Sequence, residues 1–171
     1  MFRDARKQDL PEFIQLWTEF IEELALVGGE FVADENTLRD VRNLFDAYVS
    51  GALNGLVVLY EPPGGGPQGV GFIGETRGTP AIRGSTTGRV AHGWGIYIRP
   101  AHRKLHIAKA LQENIGRKLI KLRFDTVSYT ILTDNQAGVA SAECVGMKPH
   151  AVVYHQRLKD WQDGQLRRKH Q

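Results

Sequence analysis

The segment from Val90 to Leu111 carries the residues best suited to bind a ligand. A short apolar run, residues 95–98, leads through Arg-Pro into a basic loop, residues 101–106, and a helical pattern begins at Ile107. A strand that ends in such a loop and a helix N-terminus directs backbone N–H groups and the positive end of a helix dipole at one point. These residue types at this spacing favour the binding of a phosphate group.

A histidine lies upstream on the same predicted strand. His92 has an imidazole that can accept a proton at neutral pH, since the ordinary pKa of histidine is ~6.5. A β-bulge, with which Gly93 and Gly95 are compatible, would reverse the phase of the strand partway. A structural or surface histidine is the alternative interpretation. If the strand alternates without a bulge, Trp94, Ile96 and Ile98 lie on the same face of the strand as His92.

The basic loop resembles the acetyl-CoA loop of the GNAT superfamily of N-acetyltransferases. The family pattern is Arg or Gln, two residues, Gly, one residue, then Gly or Ala, and residues 103–108 here read Arg-Lys-Leu-His-Ile-Ala. A histidine therefore stands where the family has its first Gly. The resemblance implies that main-chain amides of the loop hold the CoA pyrophosphate and that the preceding strand hydrogen-bonds the pantetheine. The binding residues so implied are Ile96, Tyr97, Ile98, Arg103, Lys104, Leu105, His106, Ile107, Ala108 and Lys109.

A second block of residues corroborates the first. Asn135 is followed by a helix of small residues and then by Gly146 and Met147. This order is similar to the second conserved block of the GNAT family, which lies at a comparable distance from the acetyl-CoA loop. The resemblance implies that Asn135 is a further cofactor-binding residue.

The resemblance implies direct transfer of an acetyl group from acetyl-CoA to an amine. A lysine-like amine has a pKa of ~10.4 and is mostly protonated at pH 7, so the reaction needs a base. The family often carries that base on the strand before the loop, where this chain has His92. The family's proton donor, a Tyr, would fall at Ala142; Tyr154, Cys144 and solvent are the alternatives, and Tyr154 is the catalytic partner we predict for His92. A backbone N–H at or near Ile98 would polarise the carbonyl.

Hydrophobic periodicity predicts the elements that position these residues. Helices are predicted at 11–25, 34–50, 107–123 and 135–144, and strands at 2–5, 56–60, 70–75, 90–98, 126–132 and 151–158. With the resemblance, the order predicts an α/β GNAT fold. Its mixed, mostly antiparallel sheet has six to seven strands, helices on both faces and a V-shaped splay between the central strands. We expect one domain over residues 1–160 and a basic tail over 161–171.

Composition narrows the class of protein. The chain has 171 residues, 42% of them hydrophobic and 24% charged, which is typical of one globular domain. It has no apolar run of the ~20 residues that cross a bilayer and no signal-peptide pattern, which predicts a cytoplasmic protein without a membrane partner. The single cysteine excludes an internal disulfide and offers no metal-ligand spacing, so we expect no metal.

The charge distribution leaves the acceptor open. A net charge of +3 suits an anionic ligand such as CoA and is too weak to indicate nucleic acid. In GNAT proteins the connection between the first two helices borders the acceptor pocket. The acidic residues there either attract a cationic amine or are solvated helix-end charges. These residues are Glu22, Glu23, Glu30, Asp34 and Glu35.

Three functions are compatible with these patterns. The first is an N-acetyltransferase that acts on a small molecule, peptide or protein, as a monomer or homodimer. The second is a GNAT-fold module that binds CoA or a partner without catalysis, which the departures at His106 and Ala142 motivate. The third is a nucleic-acid-associated protein that uses the basic residues 167–169. Only the first two explain both motif blocks.

Overall fold

The structure is a computed structural model that describes residues 1–28, 32–75, 89–103 and 105–149, apart from the side chain of Leu105. Its five strands form one sheet in sequence order, β1-β2-β3-β4-β5. Neighbouring strands are antiparallel except for the parallel pair β4 and β5, which confirms the predicted mixed, mostly antiparallel sheet. The strands are β1 Phe2–Asp4, β2 Gly55–Tyr60, β3 Gly69–Gly74, β4 Val90–Ile98 and β5 Thr126–Tyr129.

Two strand predictions differ from the structure. The fifth strand was expected over 126–132, but β5 ends at Tyr129, so β-rich composition alone overestimated its length. The count of six to seven strands is not matched, since the described residues form five. The remaining predicted strand, residues 151–158, lies outside the described residues, as does the predicted tail.

Local residue chemistry marks the first turns of two of the described helices. Pro11 lies in the first turn of α1, and the Asp34 carboxylate accepts a hydrogen bond of 2.8 Å from the Thr37 amide at the start of α2. The chain leaves α4 through Gly146, whose φ of +83° favours glycine. The helices are α1 Leu10–Leu26, α2 Glu35–Val49, α3 Leu105–Lys121 and α4 Gln136–Glu143.

The helices cover both faces of the sheet, as predicted. On one face α1 and α2 pack on the sheet through aromatic residues, with the Phe13 ring centroid 4.7 Å from that of Phe45 and 5.1 Å from that of Phe72. Trp17 belongs to this core. On the other face α3 packs Leu111 and Ile115 against the sheet. No described helix is both long and apolar enough to cross a membrane.

A β-bulge interrupts β4 at Trp94. Phe72 of β3 pairs with Gly95, and the next residue of β3, Ile73, pairs with Gly93, so Trp94 is the extra residue of β4. The bulge reverses the phase of the strand. His92 and Trp94 lie on the face covered by α1 and α2, whereas Ile96 and Ile98 pack toward α3. Of the two alternatives that the sequence left open, the structure shows the bulge with its reversal of phase and not the unbroken two-residue period.

The glycines on either side of the bulge admit aromatic rings to the strand. A Cβ atom on Gly95 would lie 2.4 Å from Cε1 of Phe20, which comes from α1. A Cβ atom on Gly93 would lie 2.0 Å from Cε1 of Tyr129, which comes from β5. Real Cβ atoms do not approach rings so closely, so both positions require glycine.

The pairing between β4 and β5 covers only the first part of β4. The parallel register runs from Val90 opposite Thr126 to Gly93 opposite Tyr129. Residues 94–98 of β4 extend beyond the last pair, and no described strand lies against them on the β5 side. Among the described strands, β4 is thus paired on both sides only up to the bulge, and the V-shaped splay stays a prediction.

We expect Gly95→Ala to destabilise the fold by about 1–3 kcal/mol, because the new methyl group overlaps the Phe20 ring in a packed layer. Urea unfolding followed by circular dichroism measures the loss. The matched control is Gly116→Ala in α3, where a Cβ atom meets nothing within 4 Å and alanine should stabilise the helix by about 0.5–1 kcal/mol. Equal unfolding midpoints for Gly95→Ala and the wild type would contradict the bulge geometry.

Candidate functional site

The candidate site runs from the bulge in β4 to the first turn of α3. A 3₁₀ turn, Pro100–His102, links the two elements. The first N–H groups of any α-helix have no partner inside the helix, so the α3 N-terminus offers donors and the positive end of its dipole. These donors and residues 94–98 of β4 border the same opening in the sheet.

Arg103 stabilises the turn itself. Its Nε donates a hydrogen bond of 2.7 Å to the carbonyl oxygen of Ile98, and its terminal nitrogen pairs with the carboxylate of Glu23 on α1. The guanidinium lies 5.5 Å from the centroid of the Tyr97 ring. The side chain predicted to bind CoA therefore already has partners within the protein, a positioning role that the motif did not indicate.

A second ion pair lies beside the first. Nε and a terminal nitrogen of Arg99 donate to the two carboxylate oxygens of Glu19 at 2.8 and 2.7 Å. Glu19 and Glu23 are four residues apart on α1, and Arg99 and Arg103 are four residues apart across the 3₁₀ turn. We call these four residues the loop clamp. Hydrogen bonding from Arg99 holds the pKa of Glu19 below its usual range.

The other predicted CoA-binding residues divide by exposure. The side chains of Ile107 and Ala108 pack into the core beneath α3, Ile107 buried and Ala108 partly buried. In the first turn of α3 these two residues therefore offer a ligand only their main-chain groups. His106 and Lys109 are exposed, and the Lys109 amine lies 3.9 Å from the Glu113 carboxylate. Lys104 lies outside the described residues. The imidazole at the family's Gly position is thus at the protein surface rather than in the core.

Asn135 caps α4. Its Oδ1 accepts a hydrogen bond of 2.9 Å from the Gly138 amide, and a Cβ atom on Gly138 would crowd that cap. Gln112 of α3 donates to the carbonyl and hydroxyl oxygens of Ser141 at 3.0 and 2.7 Å, which ties α4 to α3. The Cys144 thiol donates to the Ser141 carbonyl at 3.1 Å, as a residue at the end of α4. Tyr154 lies outside the described residues.

His92 lies next to the bulge. The centroid of its ring is 5.0 Å from that of Trp94, in an edge-to-face arrangement. The side chain is partly buried, and burial lowers its pKa from the usual histidine value. The imidazole is consequently neutral at pH 7, the form that accepts a proton.

Trp94 and its neighbours were not recognised as site residues from the sequence. Nε1 of Trp94 donates to the Tyr48 hydroxyl oxygen at 3.1 Å, and that hydroxyl donates to the Glu75 carbonyl oxygen at 2.6 Å. Trp94 is nevertheless 37% exposed, although Gly93 and Gly95 are buried. The sequence feature that could have identified Trp94 as a site residue is its place between two glycines, Gly93 and Gly95, where a bulge was considered.

Tyr129 was also missed. Its ring lies against Gly93 at the last β4–β5 pair, and burial raises the pKa of its hydroxyl, which stays protonated.

Two residues of the predicted acidic cluster have partners within the protein. Glu23 belongs to the loop clamp and Asp34 caps α2, while Glu22 and Glu35 are exposed. Glu30 lies outside the described residues. Over the described part of the chain, no group of three or more His, Cys, Asp or Glu side chains is placed to hold a metal ion.

Comparison with solved structures identifies the fold. A variant of the BH1408 protein from Bacillus halodurans matches with a TM-score of 0.73 and 18% identity over 92% of this chain and 98% of that one. AAC(6')-Iy, in complex with the bisubstrate analog CoA-S-monomethyl-acetylneamine, matches with a TM-score of 0.68 and 12% identity over 92% and 97%. Ribosomal-protein-alanine N-acetyltransferase from Brucella melitensis matches with a TM-score of 0.65 and 17% identity over 85% and 83%.

These likenesses are structural. No protein-family model matches the chain, and no curated protein matches it by sequence. The chain has the fold of the GNAT acetyltransferases, so the resemblance drawn from the two motif blocks is confirmed at the level of the fold. The identities are too low to carry over an activity or an acceptor.

We expect Glu19→Gln to cost about 1 kcal/mol of stability at pH 7, because a two-pronged, partly buried contact with Arg99 is lost. Since folding lowers the pKa of Glu19, its contribution is complete above the unfolded-state pKa of ~4.3 and is lost as the pH falls through the folded value. Urea unfolding at pH 7, 5 and 3 measures the difference.

The matched control for this prediction is Glu22→Gln, which removes an exposed carboxylate from the same helix outside the loop clamp. It should change stability by less than about 0.5 kcal/mol at any of these pH values. A Glu19→Gln deficit that persists undiminished at pH 3 would rule out the ion pair as its cause.

Proposed function

We propose that the chain is an N-acetyltransferase that transfers an acetyl group from acetyl-CoA directly to an amine of a small molecule, peptide or protein. The observation that carries the proposal is the half-paired central strand. Beyond the bulge, β4 has no described strand on its β5 side, and it leads into the N-terminus of α3. An elongated donor with amides at its centre and a diphosphate at one end fits that arrangement.

The residues present fit such a donor. Main-chain groups of residues 94–98 would bond the pantetheine amides on the β5 side, where no described strand pairs with them, apart from the Ile98 carbonyl, which accepts from Arg103. The α3 first turn, residues 105–109, would hold the diphosphate through its amides and dipole. The loop clamp fixes the turn between these two binding surfaces, so the arginines act on the donor by positioning main chain. This fit is supported by the CoA-derived analogue bound to a neighbour of the same fold.

In the reaction we propose, the acceptor nitrogen attacks the thioester carbonyl carbon. A C–N bond forms and the C–S bond breaks, while the proton of the amine passes to Nδ1 or Nε2 of His92, directly or through water. The lowered pKa of His92 supports this role, because the imidazole is free to accept the proton at pH 7. The CoA thiolate has a thiol-like pKa of ~8.5 and leaves with little assistance; Tyr154 or solvent would return a proton to it.

A second candidate function is a GNAT-fold module that binds CoA or a partner without catalysis. Two observations favour it: the exposed His106 at the family's Gly position and Ala142 at the position of the family's Tyr. The two functions separate in one experiment, since both bind acetyl-CoA and only the first acetylates an amine in a broad panel.

We expect His92→Ala to lower kcat by roughly 10²–10⁴-fold, the range for a lost general base. The acid limb of the wild-type pH–rate profile should lie below the ordinary histidine value of ~6.5, since burial lowers the pKa of His92, and the variant should lose that limb. Steady-state rates from pH 5 to 9 measure both effects.

Calorimetric titration with CoA provides the control for His92→Ala. The dissociation constant for CoA should be unchanged within about twofold, because His92 lies near the start of β4 and α3 begins only after the end of that strand. A rate that is unaffected at every pH would refute His92 as the base without affecting the assignment of the CoA loop.

We expect His106→Glu to weaken CoA binding by at least about tenfold, because a carboxylate in the first turn of α3 would repel the diphosphate. The free energy of unfolding should not fall, since an acidic residue in that turn interacts favourably with the helix dipole. Ile120→Glu, which adds the same charge at a 71% exposed position far along α3, is the matched control and should bind CoA normally. Equal CoA affinities for the two variants would exclude the α3 N-terminus as the diphosphate site.

A further inference from the structure

Trp94 has an unusual environment for a residue in the centre of a sheet. β4 lies between β3 and β5, and its interior residues are buried or partly buried except for Trp94, which the bulge projects from the strand. Trp94 is 37% exposed. An aromatic residue that stays partly exposed at this position can contact a ligand.

The ring is held in a fixed orientation. Its Nε1 donates to the Tyr48 hydroxyl, and Tyr48 is itself buried and donates to the Glu75 carbonyl. The chain of two hydrogen bonds satisfies the polar atom of the indole and leaves its apolar surface to the solvent side. Such a ring binds a ligand with little loss of side-chain entropy.

The position of the ring connects it with the proposed reaction. Trp94 follows directly after the last β4–β5 pair, so it lies at the apex of the opening between these strands, and its ring is 5.0 Å from that of His92. A group bound against Trp94 would therefore lie beside the proposed base.

The carboxylate of Glu75, whose carbonyl ends the hydrogen-bond chain from Trp94, already has partners. Glu75 is paired with Arg89 and accepts a hydrogen bond of 3.0 Å from Asn54. A cationic ligand bound against Trp94 would therefore meet the ring rather than the Glu75 carboxylate. An indole face attracts a cation through its quadrupole and also packs against hydrocarbon.

We propose that Trp94, held by Tyr48 beside His92, forms the acceptor subsite and selects amines whose ammonium group is attached to an aromatic or hydrocarbon body. This inference rests on the proposed function and specifies its acceptor class. The bound ammonium first gives one proton to His92, which passes it to solvent. The nitrogen then attacks the thioester and gives its second proton to His92 as the C–S bond breaks.

The test compares three small probes with the wild-type protein in the presence and absence of CoA. Phenethylamine has both the charge and the ring, ethanolamine lacks the ring, and phenethyl alcohol lacks the charge. Phenethylamine should quench tryptophan fluorescence at a concentration about tenfold lower than either of the other two probes, in keeping with a cation–π contact plus apolar packing. This binding measurement requires no turnover.

The variants separate the ring from other sources of binding. Trp94→Phe keeps an aromatic face, whereas Trp94→Leu keeps only hydrophobic bulk. For acetylation of phenethylamine, Trp94→Leu should raise KM about tenfold with kcat changed less than about twofold, and Trp94→Phe should fall between it and the wild type. Tyr48→Phe, which removes the bond to Nε1, should raise KM less than Trp94→Leu does.

The outcomes distinguish this inference from the proposed function. If phenethylamine and ethanolamine bind equally, or if Trp94→Leu binds phenethylamine as the wild type does, the acceptor subsite is wrong even if acetylation occurs. If no probe is acetylated but phenethylamine still binds at Trp94, the subsite holds and catalysis fails. Calorimetry with CoA confirms in each variant that the donor site is intact, with an unchanged dissociation constant as the expected result.

Discussion

The fold depends on how main-chain hydrogen bonds are shared in the centre of the sheet. Backbone N–H and C=O groups away from water need partners, and an internal strand normally finds them on both sides. In this protein β4 has β3 along its length, but β5 accompanies it only as far as Gly93. The chain thus maintains a line of backbone groups at residues 94–98 that no described strand satisfies on the β5 side.

The bulge at Trp94 converts this backbone arrangement into two different surfaces. Before it, His92 faces the layer of α1 and α2, and after it Ile96 and Ile98 support the α3 layer. The flanking glycines allow the rings of Phe20 and Tyr129 to close around the strand. A side chain at either position would force those rings apart, so the local geometry of the site and the packing of the core are specified by the same few residues.

Features of the fold that depend on interactions between residues close in the sequence could be predicted, and features that depend on tertiary pairing could not. The helices were predicted within a few residues because their apolar period and caps are local, as with the Asp34 cap of α2. The end of β5 was not predicted correctly. Residues 130–132 have β-favouring types, and only tertiary pairing ends the strand at Tyr129.

The site was predictable in part for the same reason. The motif located the turn before α3, but it could not show that Arg103 pairs with Glu23, eighty residues earlier in the chain. Nor could the period of β4 fix the face of Ile96, because a single inserted residue reverses every later side chain. Exposure of Trp94 also depends on how the helices cover the sheet, which no local pattern contains.

The charged side chains near the candidate site have roles other than those that the sequence suggested. The resemblance implied that Arg103 binds CoA, and the acidic residues before α2 were either amine ligands or solvated helix-end charges. In the structure Arg99 and Arg103 neutralise Glu19 and Glu23, and this pairing joins α1 to the turn before α3. These ionised side chains thus stabilise the framework. In the function we propose, the ligand would contact groups that need no counterion: the amides and dipole of α3 on one side, and Trp94 and neutral His92 on the other. Such groups are fixed by secondary structure and packing, so their geometry exists before a ligand arrives, and little ordering entropy has to be lost on binding.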